Sequence, residues 1–236
     1  RAVLLQGSFY GFHNEYISET MKKYPEMFLG AGTFDPFARC AGKIYDRLTE
    51  ELGFKVIKFE TSTGGGLMSY HREYNLFDTF DEIAGRMEEN GQVLVLDIGS
   101  PGMSSFQPET VARLAGKHSK LNIIICHLLA PTLKDESALE RGLKLLRADN
   151  IWFDLAAVPF NVKPETYPYP TGRKYVKMAK EIVGYQKLIW GTDVPSVLVY
   201  DSYQNLLSFV TESDLFHPEE LQAVLYGNAV DAYQWK

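Results

Sequence analysis

The sequence predicts an α/β protein of the (β/α)8 TIM-barrel class, and three observations lead there. Short runs rich in Val, Ile, Leu and Phe alternate with longer stretches of helical period, the pattern of βα units around a parallel sheet. The short runs are apolar on both faces, so both faces of the sheet need cover, as in a barrel or a doubly wound sheet. The units repeat every 25 to 38 residues or so, a spacing that suits a barrel of about 250 residues.

Taken in order, strands are expected at residues 2–6 (AVLLQ), 27–33 (MFLGAGT), 54–59 (FKVIKF), 92–97 (QVLVLD), 121–127 (LNIIICH), 151–155 (IWFDL) and 187–193 (KLIWGTD). Helices are expected between and after them, at 15–23, 41–52, 77–89, 108–118, 136–147 and 172–183, each with polar positions spaced for an exposed face. Two more follow, near 200–211 and from Pro218 to about Trp235, the last opened by His217-Pro218-Glu219-Glu220, with proline at N1 and an acidic first turn. No linker, repeat or low-complexity stretch divides the chain, so residues 1–236 read as one barrel domain. Seven strands are one short of eight. An open arc would leave two long parallel edges, which natural proteins avoid, so strand 1 is expected upstream of Arg1. The alternative is a complete seven-unit chain or a flavodoxin-like sheet.

At 236 residues, with 45% hydrophobic and 23% charged residues, the chain is long enough to bury a substantial core and is not disordered as a whole. Lys plus Arg number 24 against 30 Asp plus Glu, a net charge of −6, which argues against a phosphate-tracking surface and so against nucleic acid as a partner. No apolar run reaches the roughly 18 residues of a membrane span, and the start has no signal-peptide order, so no membrane partner is expected. Cys40 and Cys126 lack CxxC spacing and read as free, buried thiols of a reducing, cytoplasmic compartment.

In a barrel the strand C-termini aim their polar residues into one mouth. That rule selects Gln6 and Ser8, Thr33 and Asp35, Lys58 and Glu60, Asp97, His127, Asp154 and Asp193. His127 ends the run Ile123-Ile124-Ile125-Cys126, where packing gives an imidazole no purpose but a neutral nitrogen ligates a metal or accepts a proton. Asp193 follows Leu188-Ile189-Trp190-Gly191-Thr192, as a turn cap or as a general base and hard-metal ligand. These two residues are expected two strands apart across the mouth, close enough to share a water. Lys58 interrupts an apolar strand and needs an ion-pair partner, Glu60 or Asp97, or a substrate anion. Asp97 and Asp154 are weaker candidates, since aspartate also caps turns. The stretch Thr63-Gly64-Gly65-Gly66 has no GK[ST] after it and reads as a mouth loop carrying Tyr70, His71 and Arg72, with the loop around Ser8 and Tyr10 similar to it. His118 and His217 sit at helix ends, where dipole and capping roles suffice. The end Tyr233-Gln234-Trp235 reads equally as a homodimer contact and as a packed terminus.

The segments IIICH at Ile123 to His127, IWFDL at Ile151 to Leu155, LIWGTDVP at Leu188 to Pro195 and LYGNA at Leu225 to Ala229 resemble the closing half of the amidohydrolase-related (amidohydrolase 2) barrels. That family of the metal-dependent hydrolase superfamily includes aminocarboxymuconate semialdehyde and resorcylate decarboxylases and sugar-acid and pyrone-dicarboxylate lactonases. The resemblance extends over nearly the whole chain, and residues 2–7 look like the family's second strand. It implies that His127 is the sixth-strand histidine and Asp193 the eighth-strand aspartate that binds metal or activates water, with a histidine pair upstream of residue 1. The fifth-strand position, a histidine in the decarboxylases, falls in Leu94-Val95-Leu96-Asp97-Ile98, which resembles the lactonase branch.

The expected function is hydrolysis of a lactone, ester or amide of a small, carboxylate-bearing substrate. Asp193 activates water, His127 polarises the carbonyl or serves the leaving group, and Lys58, Tyr70 and Arg72, with Asp97 and Ser8, hold the substrate. The cofactor expectation is one divalent ion, zinc or manganese, on Asp193 and His127, with metal-free hydrolysis as the alternative. A metal-dependent decarboxylase and a silent binding or scaffold barrel are the rival readings.

Overall fold

The computed structural model describes residues 1–7, 11–62 and 75–235, and the chain forms two compact units. The first comprises Arg1–Gly99 and Met103–Ile123, the second Ser100–Gly102 and Ile124–Lys236. Within each unit, strands adjacent in sequence pair with one another in parallel.

In the first unit β1 (Ala2–Leu4), β2 (Phe28–Gly32), β3 (Val56–Glu60) and β4 (Val93–Asp97) alternate with α1 (Asn14–Lys23), α2 (Ala41–Asp46), α3 (Leu76–Glu89) and α4 (Pro108–Lys117). The printed pairs are parallel, with Val3 opposite Leu29, Gly32 opposite Ile57 and Lys58 opposite Val95. The apolar strand pattern predicts burial on both faces, and β3 and β4 are buried at every position but Glu60. Aromatic packing fixes α3 on the sheet: Phe59 lies 4.5 Å from Phe80 and 5.2 Å from Phe34, centroid to centroid. Gly30 is required where α1 crosses β2, since a Cβ there would stand 2.2 Å from Ile17 Cγ2.

The unit boundary falls within β5 (Asn122–Ile125), and the second unit carries β6 (Ile151–Asp154) and β7 (Leu188–Ile189), with Phe153 opposite Leu188 and Asp154 opposite Ile189. Its helices are α5 (Glu136–Leu145), α6 (Val158–Asn161), α7 (Pro170–Val183), α8 (Tyr203–Thr211), α9 (Pro218–Gln222) and α10 (Asn228–Ala232). Pro218 opens α9 behind a capping box, in which Glu220 accepts the His217 N–H at 2.8 Å.

Several expected boundaries move, each for a local reason. The strand expected at 187–193 pairs over only two residues, because the Trp190 N–H leaves the ladder for the Val224 carbonyl at 2.9 Å. The strand expected at 121–127 stops at Ile125, because His127 to Ala130 adopt positive φ. The C-terminal helix is interrupted by a π turn, Ala223–Gly227, and ends at Ala232. Cys40, expected to be buried, is exposed beside the start of α2, whereas Cys126 is buried; both are free thiols. No helix among the described residues is long and apolar enough to cross a membrane.

Candidate active site

In the second unit three strands end alike. After β5 comes His127 at φ 59°, after β6 Ala157 at φ 56°, and after β7 Asp193 at φ 60°. None is glycine, and left-handed backbone costs an ordinary residue about 1–2 kcal/mol. Such strain persists where surrounding contacts over-determine it, typically at functional positions. Two of the three residues are those singled out by the sequence.

The surroundings of His127 supply that restraint. Cys126 and Ile125 bury the end of β5, and the His127 side chain keeps 17% of its exposure. Its backbone N–H donates to Asp154 Oδ1 at 2.9 Å, and the same oxygen accepts the Ala156 N–H at 3.0 Å. The ring Nδ1 lies 3.2 Å from the Ala156 carbonyl oxygen. A carbonyl only accepts, so Nδ1 carries the hydrogen and, in the neutral ring, Nε2 carries the lone pair. Asp154 Oδ1 stands 3.9 Å from Nδ1, placed to stabilise a protonated ring. Beneath lies Tyr233, buried, its phenol pushed well above the ordinary value by burial and then by the charges of Asp154 and Cys126. The side chain of Tyr233 is therefore packed inside rather than displayed.

Asp193 is exposed. Ser196 Oγ lies 2.7 Å from its carbonyl oxygen and 3.0 Å from its Oδ2. The preceding Gly191 makes a close approach, since a Cβ there would meet Ala156 Cβ at 3.1 Å. Further along, Asn228 of the GNA motif donates to the Tyr185 and Leu188 carbonyls at 2.7 and 2.8 Å. These bonds tie the C-terminal helices to β7, so the motif positions the strand that leads to Asp193.

Apart from His217, the remaining expected residues belong to the first unit or lie outside the described residues. Lys58 is 6% exposed within β3 and shares a sheet face with Glu60, which stands opposite Asp97. Asp97 caps its own turn, with Oδ1 accepting the Gly99 N–H at 2.9 Å and Oδ2 the Ser62 hydroxyl at 3.3 Å. Gln6 and Thr33 bond Asn14, and Asp35 accepts the Phe37 N–H, which ties them into local structure. His118 pairs with Asp81 at 2.9 Å and Glu88 at 3.6 Å, and His217 caps α9. Ser8, Tyr70, His71, Arg72 and the Thr63 to Gly66 stretch lie outside the described residues. Sequence reasoning ranked Asp154 low and did not see Ser196 or the Ala156 carbonyl at all. A backbone acceptor leaves no trace in side-chain identity.

A zinc site takes three or four protein donors. Among the described residues no three His, Cys, Asp or Glu side chains are placed to hold a metal ion. His127 and Asp193 alone therefore do not make a full donor set.

The chain resembles several solved structures. One, from Pseudomonas putida and described as a 2-pyrone-4,6-dicarboxylic acid hydrolase, is 17% identical, with 99% of this chain and 82% of that one covered at TM-score 0.75. An amidohydrolase from Burkholderia multivorans with bound zinc is 15% identical over 98% and 82% of the two chains at TM-score 0.75. The 5-carboxyvanillate decarboxylase of Sphingomonas paucimobilis is 15% identical over 94% and 71% at TM-score 0.63. At these identities the likeness shows the fold, that of the TIM barrels. No curated protein matches the chain in sequence. The amidohydrolase family model matches residues 1–235, and the chain therefore belongs to the amidohydrolase family, enzymes that are typically metal-dependent hydrolases and decarboxylases.

Proposed function

We propose that this enzyme hydrolyses a lactone, ester or amide of a carboxylate-bearing small molecule, with Asp193 as general base toward water and His127 polarising the carbonyl or serving the leaving group. The observation that carries the reading is the pair of left-handed turns that present His127 and Asp193 after β5 and β7, each restrained by its own hydrogen bonds. The exposed Asp193 carboxylate accepts a proton from water as water attacks the carbonyl carbon. A His127 ring protonated at both nitrogens donates from Nε2 to the departing oxygen or nitrogen, while Nδ1–H stays on the Ala156 carbonyl and Asp154 balances its charge. Transfer of the proton from Asp193 to His127 through solvent restores both groups, and the products are an acid and an alcohol, enol or amine.

Lactonase chemistry is favoured over decarboxylation because β4, Val93–Asp97, contains no histidine at the position where the decarboxylases it resembles bind metal. The test is a pH-stat and headspace assay of the purified protein on 2-pyrone-4,6-dicarboxylate, dihydrocoumarin and p-nitrophenyl acetate, with metal content determined on the same preparation. Acid release without carbon dioxide, reduced about 100-fold or more in Asp193→Asn, is the expected result. Carbon dioxide release, or an Asp193→Asn variant as active as the parent, rejects the reading.

A further inference from the structure

The hydroxyl of Ser196 is placed to do more than close a turn. Its oxygen lies within hydrogen-bond distance of two acceptors on one residue, the Asp193 carbonyl at 2.7 Å and the Asp193 Oδ2 at 3.0 Å. Its single hydrogen is shared between them. An exposed aspartate in the left-handed region otherwise has several staggered rotamers open to it. Here one of its oxygens is tied back to the segment that follows, leaving Oδ1 as the oxygen for chemistry.

That segment is itself fixed. Ser196–Val199 forms a 3-10 turn whose Val197 is 2% exposed and packs in a buried cluster with Ala157, Leu206 and Phe160. Beyond it the Tyr200 ring lies 4.7 Å from the Phe160 ring, and the Lys163 ammonium sits 3.1 Å from the Tyr200 centroid and 3.0 Å from that of Phe160. Phe160 and Lys163 belong to the connection after β6, so the Asp193 turn is moored to its neighbour by an apolar plug and a cation held between two rings. A hydroxyl on so fixed a base transmits its position to the carboxylate it holds.

We infer that Ser196 is a positioning residue for Asp193, holding Oδ2 so that Oδ1 faces the reacting water. The inference rests on the proposed role of Asp193, and the test separates the two. Ser196→Ala and Ser196→Thr are compared with Asp193→Asn and the parent, both by crystallography and by kinetics on whichever of the three probe compounds the parent hydrolyses fastest. In the crystals the parent and Ser196→Thr show one Asp193 rotamer, whereas Ser196→Ala shows a rotated or split carboxylate. In kinetics Ser196→Ala lowers kcat about tenfold with KM within about twofold, and Ser196→Thr recovers most of the loss. A single, unmoved carboxylate in Ser196→Ala overturns the inference whatever the substrate. Unchanged kcat in Ser196→Ala beside an inactive Asp193→Asn overturns it while the proposed function stands. An active Asp193→Asn overturns the role of Asp193, and with it this one.

Discussion

One carboxylate oxygen of Asp154, Oδ1, holds the backbone of His127: it accepts the His127 N–H at 2.9 Å and the Ala156 N–H at 3.0 Å. The two bonds join the left-handed turn after β5 to the turn after β6, and the Ala156 carbonyl in turn receives the His127 Nδ1–H at 3.2 Å. Asp154→Ala leaves two N–H groups without their acceptor and is expected to cost about 1–3 kcal/mol in urea unfolding. Asp154→Asn keeps an acceptor oxygen and should cost less than half as much. Equal losses in the two variants count against the hydrogen bonds and in favour of charge.

Asn228 stands at a second junction, with its amide donating to both the Tyr185 and Leu188 carbonyls. Asn228→Ala is expected to lower unfolding free energy by about 1–3 kcal/mol. Asn228→Asp is expected to be worse, since a carboxylate would face two carbonyl oxygens. The comparison by chemical denaturation at pH 7 fails the assignment when Asp proves the milder change.

Gly191 approaches Ala156 so closely that an added Cβ would sit 3.1 Å from the Ala156 Cβ. Gly191→Ala should therefore destabilise by roughly 1–2 kcal/mol through overpacking. Ala156→Gly removes the colliding atom, and a double-mutant cycle should show a favourable coupling of about 0.5 kcal/mol or more. Additive single effects would place the strain elsewhere.

Acid stability has an identifiable origin at two carboxyls. Lys117, and then His118, hold Asp81 below its ordinary value, and Lys180, followed by the His217 N–H, does the same for Glu220. The Lys180 ammonium is 2.6 Å from Glu220 and 3.0 Å from the Leu215 carbonyl. A carboxyl whose folded pKa is depressed binds fewer protons folded than unfolded, so its contribution is complete above the ordinary carboxylate range and is lost as pH falls through the folded value. Glu220→Gln should lower the melting temperature at pH 7, leave it nearly unchanged at pH 2.5, and flatten the slope between. A parallel downward shift at every pH would assign the loss to packing.

The sequence by itself determined the alternation of strands and helices, because that rests on local periodicity and on apolar runs that water excludes wherever they occur. It also marked His127 and Asp193, since a charged or basic side chain ending an apolar strand is conspicuous in one dimension. The ends of the strands were decided by tertiary structure. The Trp190 N–H turns to the Val224 carbonyl, and four consecutive non-glycine residues, His127 to Ala130, adopt a left-handed backbone that their own identities disfavour. Cys40 likewise reads as buried in a helical context yet is exposed, because exposure depends on what packs against the α2 start and not on the helix itself. The pairing of Asp154 with His127, across 27 residues of chain, and the backbone carbonyl of Ala156 that fixes the imidazole tautomer exist only once β5 and β6 stand side by side. Local propensity chooses the elements, but long-range hydrogen bonds, with no signature in residue type, choose the geometry in which two legible side chains are presented.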